Sequence, residues 1–118
     1  MEETASQRHA KQWREHLMNQ EWMVFTGTLS SMTREQAQAL VFALGGHTQT
    51  MVTSQTTRLV IGTSRPTLFN DRRSTKWETA ERRRNAGQLI GFMDERTFLE
   101  AAIDVLQRRI RNLQTNDR

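Results

Sequence analysis

The sequence predicts an α/β fold, a largely parallel sheet with helices on both faces. Three observations carry that expectation. Short apolar runs of strand length stand at residues 22–25, 57–61 and 89–92. Between them lie amphipathic stretches with helix-cap residues at their starts. The two kinds of segment alternate, and strand–helix–strand alternation calls for crossover connections and hence parallel pairing.

Residues 4–19 read as a helix, rich in Gln, Arg and Glu and free of Gly and Pro, with His9, Trp13, His16 and Leu17 as a thin apolar stripe. Residues 22–25 are apolar without alternation, the pattern of a strand covered on both faces. A helix follows over residues 33–44. Thr33 with Gln36 forms a capping box, and Ala37, Leu40, Val41 and Leu44 form one buried face. Gly45-Gly46 stops it. Residues 47–52, polar and Thr-rich, suit an edge strand. Leu59-Val60-Ile61, closed by Gly62, is the buried part of a third strand. Residues 63–74 form a loop holding the single proline, Pro66, and the pair Arg72-Arg73. Thr75 with Glu78 makes a second capping box, and that helix runs to about Asn85. Residues 89–92 form a short last strand. Asp94 caps a final helix to about Leu113, in which Leu99, Ile103, Leu106, Ile110 and Leu113 alternate four and three apart in a heptad-like seam.

The 118 residues suffice for one domain with a modest core. Charged residues at 25% and hydrophobic residues at 36% fit a globular chain and exclude a disordered one. No apolar run approaches the roughly 20 residues of a membrane span. The start Met1-Glu2-Glu3-Thr4 lacks the charge and apolar core of a signal peptide. Without cysteine there is no disulfide framework and no thiolate chemistry. A cytoplasmic location is expected. The net charge of +4 favours polyanionic partners, and arginine clusters at Arg72-Arg73, Arg82-Arg83-Arg84 and Arg108-Arg109-Ile110-Arg111.

In an open parallel sheet, helices that follow strands start at the carboxyl edge, where ligands bind. With the first strand central, its outgoing helix and the one after the third strand flank one crevice from opposite faces. Thr26-Gly27 leaves the first strand there. Arg34 follows the Thr33 cap, and Lys76 follows the Thr75 cap. Each group suits a phosphate. Thr26 offers a hydroxyl, and Gly27, lacking Cβ, permits close approach to its N–H. Arg34 offers a planar two-point contact, and Lys76 a compact charge. A cation in the first turn of a helix opposes the helix dipole by about 0.3–1 kcal/mol. A bound anion would offset that cost at both helices. Spacing alone leaves a second reading open, in which both side chains point into water.

The chain resembles a BRCT domain from Trp22 to about Phe98, some two-thirds of its length. The resemblance is closest to the single BRCT domains of bacterial NAD-dependent DNA ligase and of the replication factor C large subunit. It rests on Phe25-Thr26-Gly27-Thr28-Leu29, Met32-Thr33-Arg34-Glu35-Gln36-Ala37, Leu44-Gly45-Gly46, Val52 with Thr56-Thr57, and Leu59-Val60-Ile61-Gly62. Thr75-Lys76 with Ala80, Gly87, and Asp94-Glu95 with Phe98 complete it. It implies a four-stranded parallel sheet in the order 2-1-3-4 and a role in DNA replication or repair. In the replication factor C type, it implies recognition of a 5′-phosphate at a duplex DNA end or nick. The family's phosphate-contacting Thr, Gly, Arg and Lys fall on Thr26, Gly27, Arg34 and Lys76. A helix before the first strand assists DNA binding in that subgroup, which points to Arg8, Lys11 and Arg14. Arg72, Arg73 and Arg82 are further candidates for backbone phosphates. The departures are the longer loop at residues 63–74, an extra helical turn between Ala80 and Gly87, Phe98 where many members have tryptophan, and the extended last helix.

The expected organisation is an N-terminal helical extension at residues 1–20, a BRCT-like domain at residues 21–113 and a disordered tail at residues 114–118. Neither catalytic residues nor a cofactor are expected. The three histidines, His9, His16 and His47, lack metal-ligand spacing, and no Gly-Lys-Ser/Thr makes a P-loop. The ligase adenylation motif and the clustered acids of a nuclease are missing. In a DNA ligase or a DNA polymerase III epsilon-type exonuclease, catalysis would lie in other domains. The competing reading is a protein–protein module, binding a phosphopeptide or partner or dimerising through the Leu99–Leu113 seam. Phosphopeptide-binding BRCT modules generally work as tandem pairs, and this sequence holds a single repeat. The seam is expected to pack on the N-terminal helix through Trp13 and Leu17, which favours a monomer over a homodimer.

Overall fold

The computed structural model describes Met18, residues 20–63 and residues 75–116. Among the described residues, seven elements follow one another. They are β1 (Trp22–Thr26), α1 (Arg34–Ala43), β2 (His47–Gln49), β3 (Arg58–Ile61), α2 (Thr75–Asn85), β4 (Gly91–Asp94) and α3 (Glu95–Asn116). The strands form one sheet in the order β2-β1-β3-β4. Every pairing is parallel, with Val24 opposite Gln49 and Leu59, and Leu59 opposite Phe92. This is the 2-1-3-4 order that the resemblance implies.

Alternation along the strands divides the core in two. Met23, Phe25, Val60 and Met93 face α1 and α3, where they meet Ala37, Val41, Phe98, Ala101, Ala102 and Val105. Phe25 and Phe98 pack edge to face with ring centres 5.2 Å apart. Val24 and Leu59 face α2 and pack with Val52, Ala80 and Ile90. Helices therefore cover both faces, and β1 is buried from Met23 to Thr26.

The predicted capping box of α1 is present. The Gln36 N–H donates to Thr33 Oγ1 at 3.1 Å, and the Thr33 N–H donates to Gln36 Oε1 at 2.9 Å. Gly45 ends the turn after α1 at φ 95°. The Thr97 N–H donates to Asp94 Oδ1 at 2.8 Å, the cap predicted for α3.

Four expectations need correction. The backbone at Met18 has φ 71°, outside the helical region, so the helix predicted to residue 19 does not include it; residues 1–17 lie outside the described residues. β2 is shorter than residues 47–52, because the chain bends at Thr50 and Met51 while Gln49 Nε2 donates to Thr53 Oγ1. β4 begins at Gly91, not Leu89. Leu89 is 89% exposed, and Gln88 donates to the carbonyls of Thr53 and Thr56, which fixes the chain before the strand. Thr75, expected as a cap, is the first residue of α2.

The expected packing of the α3 seam on Trp13 and Leu17 lies outside the described residues; Leu99 packs against the core. The sheet-facing residues of α3 are Phe98, Ala101, Ala102 and Val105, while Ile103, Leu106, Ile110 and Leu113 are exposed. The helix runs beyond Leu113 to Asn116. No helix among the described residues is long and apolar enough to cross a membrane.

Candidate functional site

The carboxyl edge of the sheet is where β1 and β3 release their chains. Thr26 ends β1, and its carbonyl accepts from the Gly62 N–H at 2.8 Å. Thr28 and Thr63 then form an antiparallel bridge, so the two exits stay together beyond the sheet. The contact is close. A Cβ on Gly27 would lie 3.0 Å from the Gly62 carbonyl oxygen, and Gly27 has φ 79°. The left-handed backbone favours glycine there, and the close contact leaves little room for a Cβ.

Two cations reach this turn from opposite faces. Arg34, the first residue of α1, donates through Nη2 to the Gly27 carbonyl at 2.9 Å. Lys76, in the first turn of α2, donates through Nζ to the Phe25 carbonyl at 2.8 Å. The donors come from residues 7 and 51 positions away from their acceptors, yet the acceptors stand two residues apart where β1 ends. Burial, and after it the Arg34 charge, holds the Lys76 pKa below the ordinary lysine range. Among the described residues, neither cation meets a carboxylate.

Thr26, Gly27, Arg34 and Lys76 are thus brought to one edge. Thr26 is more enclosed than its position suggests, at 5% exposure. Arg82 is exposed but stands six residues into α2 from Lys76, about 9 Å along the helix. Arg8, Lys11, Arg14, Arg72 and Arg73 lie outside the described residues. His47 stacks on Trp22 at the start of β1, with centroids 4.4 Å apart, away from this edge. No group of three or more His, Asp or Glu among the described residues is placed to hold a metal ion.

Sequence reasoning missed three parts of this edge. The carbonyls of Phe25 and Gly27 hold the cations, and a main-chain acceptor leaves no mark in the residue type. The Gly62 backbone fills the space beside Gly27; Gly62 itself, standing after an apolar run, was the available signal. Glu95 accepts from the Ser30 N–H at 2.6 Å and from the Ser31 N–H at 2.8 Å. Its proximity in sequence to the Asp94 cap concealed that long-range tie.

Two comparisons bear on this geometry. A family model described as the BRCA1 C Terminus (BRCT) domain matches residues 23–84, more than half of the chain. A DNA ligase of Persephonella marina (strain DSM 14350 / EX-H1) is 44% identical over 48 residues, which are 41% of this chain and 7% of the ligase. The matched stretch is therefore a small part of that relative.

Proposed function

The chain belongs to the BRCT family, and from that membership we propose that it is a non-catalytic DNA-binding module of replication or repair that recognises a 5′-phosphate at a duplex end or nick. The observation that carries the reading is the pair of cations, Arg34 and Lys76, held side by side by the Gly27 and Phe25 carbonyls without a carboxylate partner among the described residues. A carbonyl orients a cation but leaves its charge whole. Two such charges beside a glycine N–H and a helix N-terminus make a receptor for an anion.

In this reading the terminal phosphate seats on Thr26, Gly27, Arg34 and Lys76. Arg8, Lys11, Arg14, Arg72, Arg73 and Arg82 supply contacts to backbone phosphates, which position the protein without reading sequence. The protein then acts in the cytoplasm, alone or within a larger chain such as a DNA ligase or a polymerase-associated exonuclease. The likeness to a DNA ligase supports the repair assignment.

The test is fluorescence anisotropy with one duplex carrying either a 5′-phosphate or a 5′-hydroxyl, at two salt concentrations. A phosphate preference that disappears in Arg34→Ala is the expected result. Equal affinity for both ends would reduce the edge to a general basic patch.

One observation favours a second reading, that of a tethering or dimerisation module. Ile103, Leu106, Ile110 and Leu113 line one side of α3 at 51%, 43%, 54% and 68% exposure. A mass that rises with concentration in light scattering would favour it, and a constant monomer mass would count against it.

A further inference from the structure

The loop that joins β1 to α1, residues 27–33, carries the Gly27 N–H at one end and delivers Arg34 at the other. Its conformation therefore decides whether the two can meet one ligand. The loop is short of apolar anchors at its tip, where Ser30 and Ser31 are exposed. It is fastened there by Glu95, the first residue of α3. Glu95 Oε1 accepts from the Ser30 N–H at 2.6 Å, and Oε2 accepts from the Ser31 N–H at 2.8 Å and from the Ser31 hydroxyl at 2.5 Å. Both carboxylate oxygens are engaged, and the tie spans more than sixty residues of sequence.

Leu29 and Met32 pack against the core on either side of the tip, and Arg34 Nη2 ties the loop ends together through the Gly27 carbonyl at 2.9 Å; the remaining polar ties to the tip itself are longer. The Thr28 N–H meets the Thr63 carbonyl at 3.3 Å, and the Ser30 and Thr63 hydroxyls lie 3.4 Å apart. Hydrogen bonds to an ionised acceptor are shorter and about twice as strong as neutral ones. Two consecutive N–H groups held by one carboxylate also fix the direction of the peptide plane between them. The hydrogen bonds hold the Glu95 pKa below the ordinary glutamate range, so the carboxylate stays ionised at neutral pH. Among the described residues Glu95 forms no ion pair with Arg34 or Lys76.

We propose that Glu95 is a positioning residue for the phosphate site, holding the Ser30-Ser31 loop so that Gly27 and Arg34 converge on one anion. It touches no ligand. The proposal rests on the phosphate-end reading given above. A displacement of about 1 Å at a preorganised site is enough to cost much of its selectivity.

The experiment compares the full chain with Glu95→Gln and Ser31→Ala on the same duplex with a 5′-phosphate or a 5′-hydroxyl. Ser31→Ala removes the hydroxyl bond alone and keeps the carboxylate, so it remains informative if Glu95→Gln fails to fold. Expected is a drop of at least about threefold in the phosphate-to-hydroxyl affinity ratio for Glu95→Gln, and a smaller drop for Ser31→Ala. A change in stability alone would lower both affinities together and leave the ratio unchanged. A second readout is the amide shift of Ser30 and Ser31 by NMR, which should titrate with a carboxyl group in the wild type and not in Glu95→Gln. Absence of that titration overturns the tie. A wild-type preference that persists unchanged in both variants overturns this proposal alone. No preference in the wild type overturns the phosphate-end reading and the proposal with it.

Discussion

Replacing Gly62 by alanine places one carbon where the backbone of Thr28 already stands. An added Cβ would lie 2.5 Å from the Thr28 carbonyl oxygen, 2.7 Å from its carbonyl carbon and 3.1 Å from its nitrogen. Real Cβ atoms essentially never approach closer than 3.0 Å, so the exits of β1 and β3 must part by at least about 0.5 Å. Neither neighbour is the end of a flexible side chain. The strain falls on the Gly62 N–H to Thr26 carbonyl bond of 2.8 Å and on the Thr28–Thr63 bridge. Overpacking of this kind costs about 1–3 kcal/mol. Alanine offsets about 0.4–1 kcal/mol by restricting the unfolded chain. A net loss near 1–2 kcal/mol lowers Tm by about 4 °C for each kcal/mol in a domain of this size. The displaced turn carries Gly27, so on the proposed reading the preference for a 5′-phosphate should fall as well. The assay pairs a calorimetric Tm with the two-duplex anisotropy measurement. A Gly62→Ala protein with wild-type Tm would refute the steric argument. A lowered Tm with an unchanged phosphate preference would refute the link between this crossing and the site.

Three further outcomes are expected. Phe98→Ala removes the ring that meets Phe25 edge to face in the larger half of the core, and should cost about 3–5 kcal/mol by chemical denaturation; a loss below about 1 kcal/mol would mean that the helix collapses onto the sheet without it. Asp94 and Glu95 both have pKa values held below the ordinary carboxylate range, chiefly by backbone N–H groups of Thr97 and Ser30. Folded-state values below unfolded ones give stability that is complete above about pH 5 and is lost as pH falls through about pH 4 and below; Asp94→Asn with Glu95→Gln should flatten that acid limb in Tm measured against pH. Ile110 is 54% exposed, so Ile110→Ser should change stability by less than about 0.5 kcal/mol, and a larger loss would show that another surface covers the stripe.

The parts of the fold that were legible in the sequence depend on neighbours a few residues apart. The Thr33–Gln36 capping box is one, and the Asp94 cap is another. β1 was legible because its buried residues are continuous. The strand order was not contained in periodicity and came only with the family resemblance, since apolar runs do not say which neighbour they pair with. β4 was misplaced by two residues for the same reason. In Leu89-Ile90-Gly91-Phe92 every residue but one is apolar, and only the pairing of Gly91 with Arg58 fixes where the strand begins. On α3, the heptad-like spacing drew attention to Ile103, Leu106, Ile110 and Leu113, while the face toward the sheet uses the small Ala101 and Ala102, which let the helix approach it and leave no conspicuous pattern. At the site, Arg34 and Lys76 were legible as cations at helix starts. Their acceptors and the Glu95 tie were not, because main-chain carbonyls and contacts across sixty residues leave no local pattern.

The two ends of the sheet treat positive charge differently, and the contrast bears on function. At the amino edge, Arg58 begins β3 largely enclosed, with Nε 3.7 Å from Glu21 Oε2. Thr57 donates its hydroxyl to the same carboxylate. Burial lowers the Arg58 pKa and Glu21 opposes that shift, so a cation needed for packing is compensated from within the chain. At the carboxyl edge, Arg34 and Lys76 donate to carbonyl oxygens, and the Arg34 charge disfavours the charged form of Lys76. Among the described residues no carboxylate offsets that repulsion. On the proposed reading, the repulsion is relieved by the ligand. An internal phosphodiester brings one negative charge to the pair, whereas a phosphate monoester brings about 1.5 to 2 at neutral pH. On that reading, two cations without a carboxylate partner among the described residues would gain more from a chain end than from the continuous backbone, which is the electrostatic argument for the proposed preference.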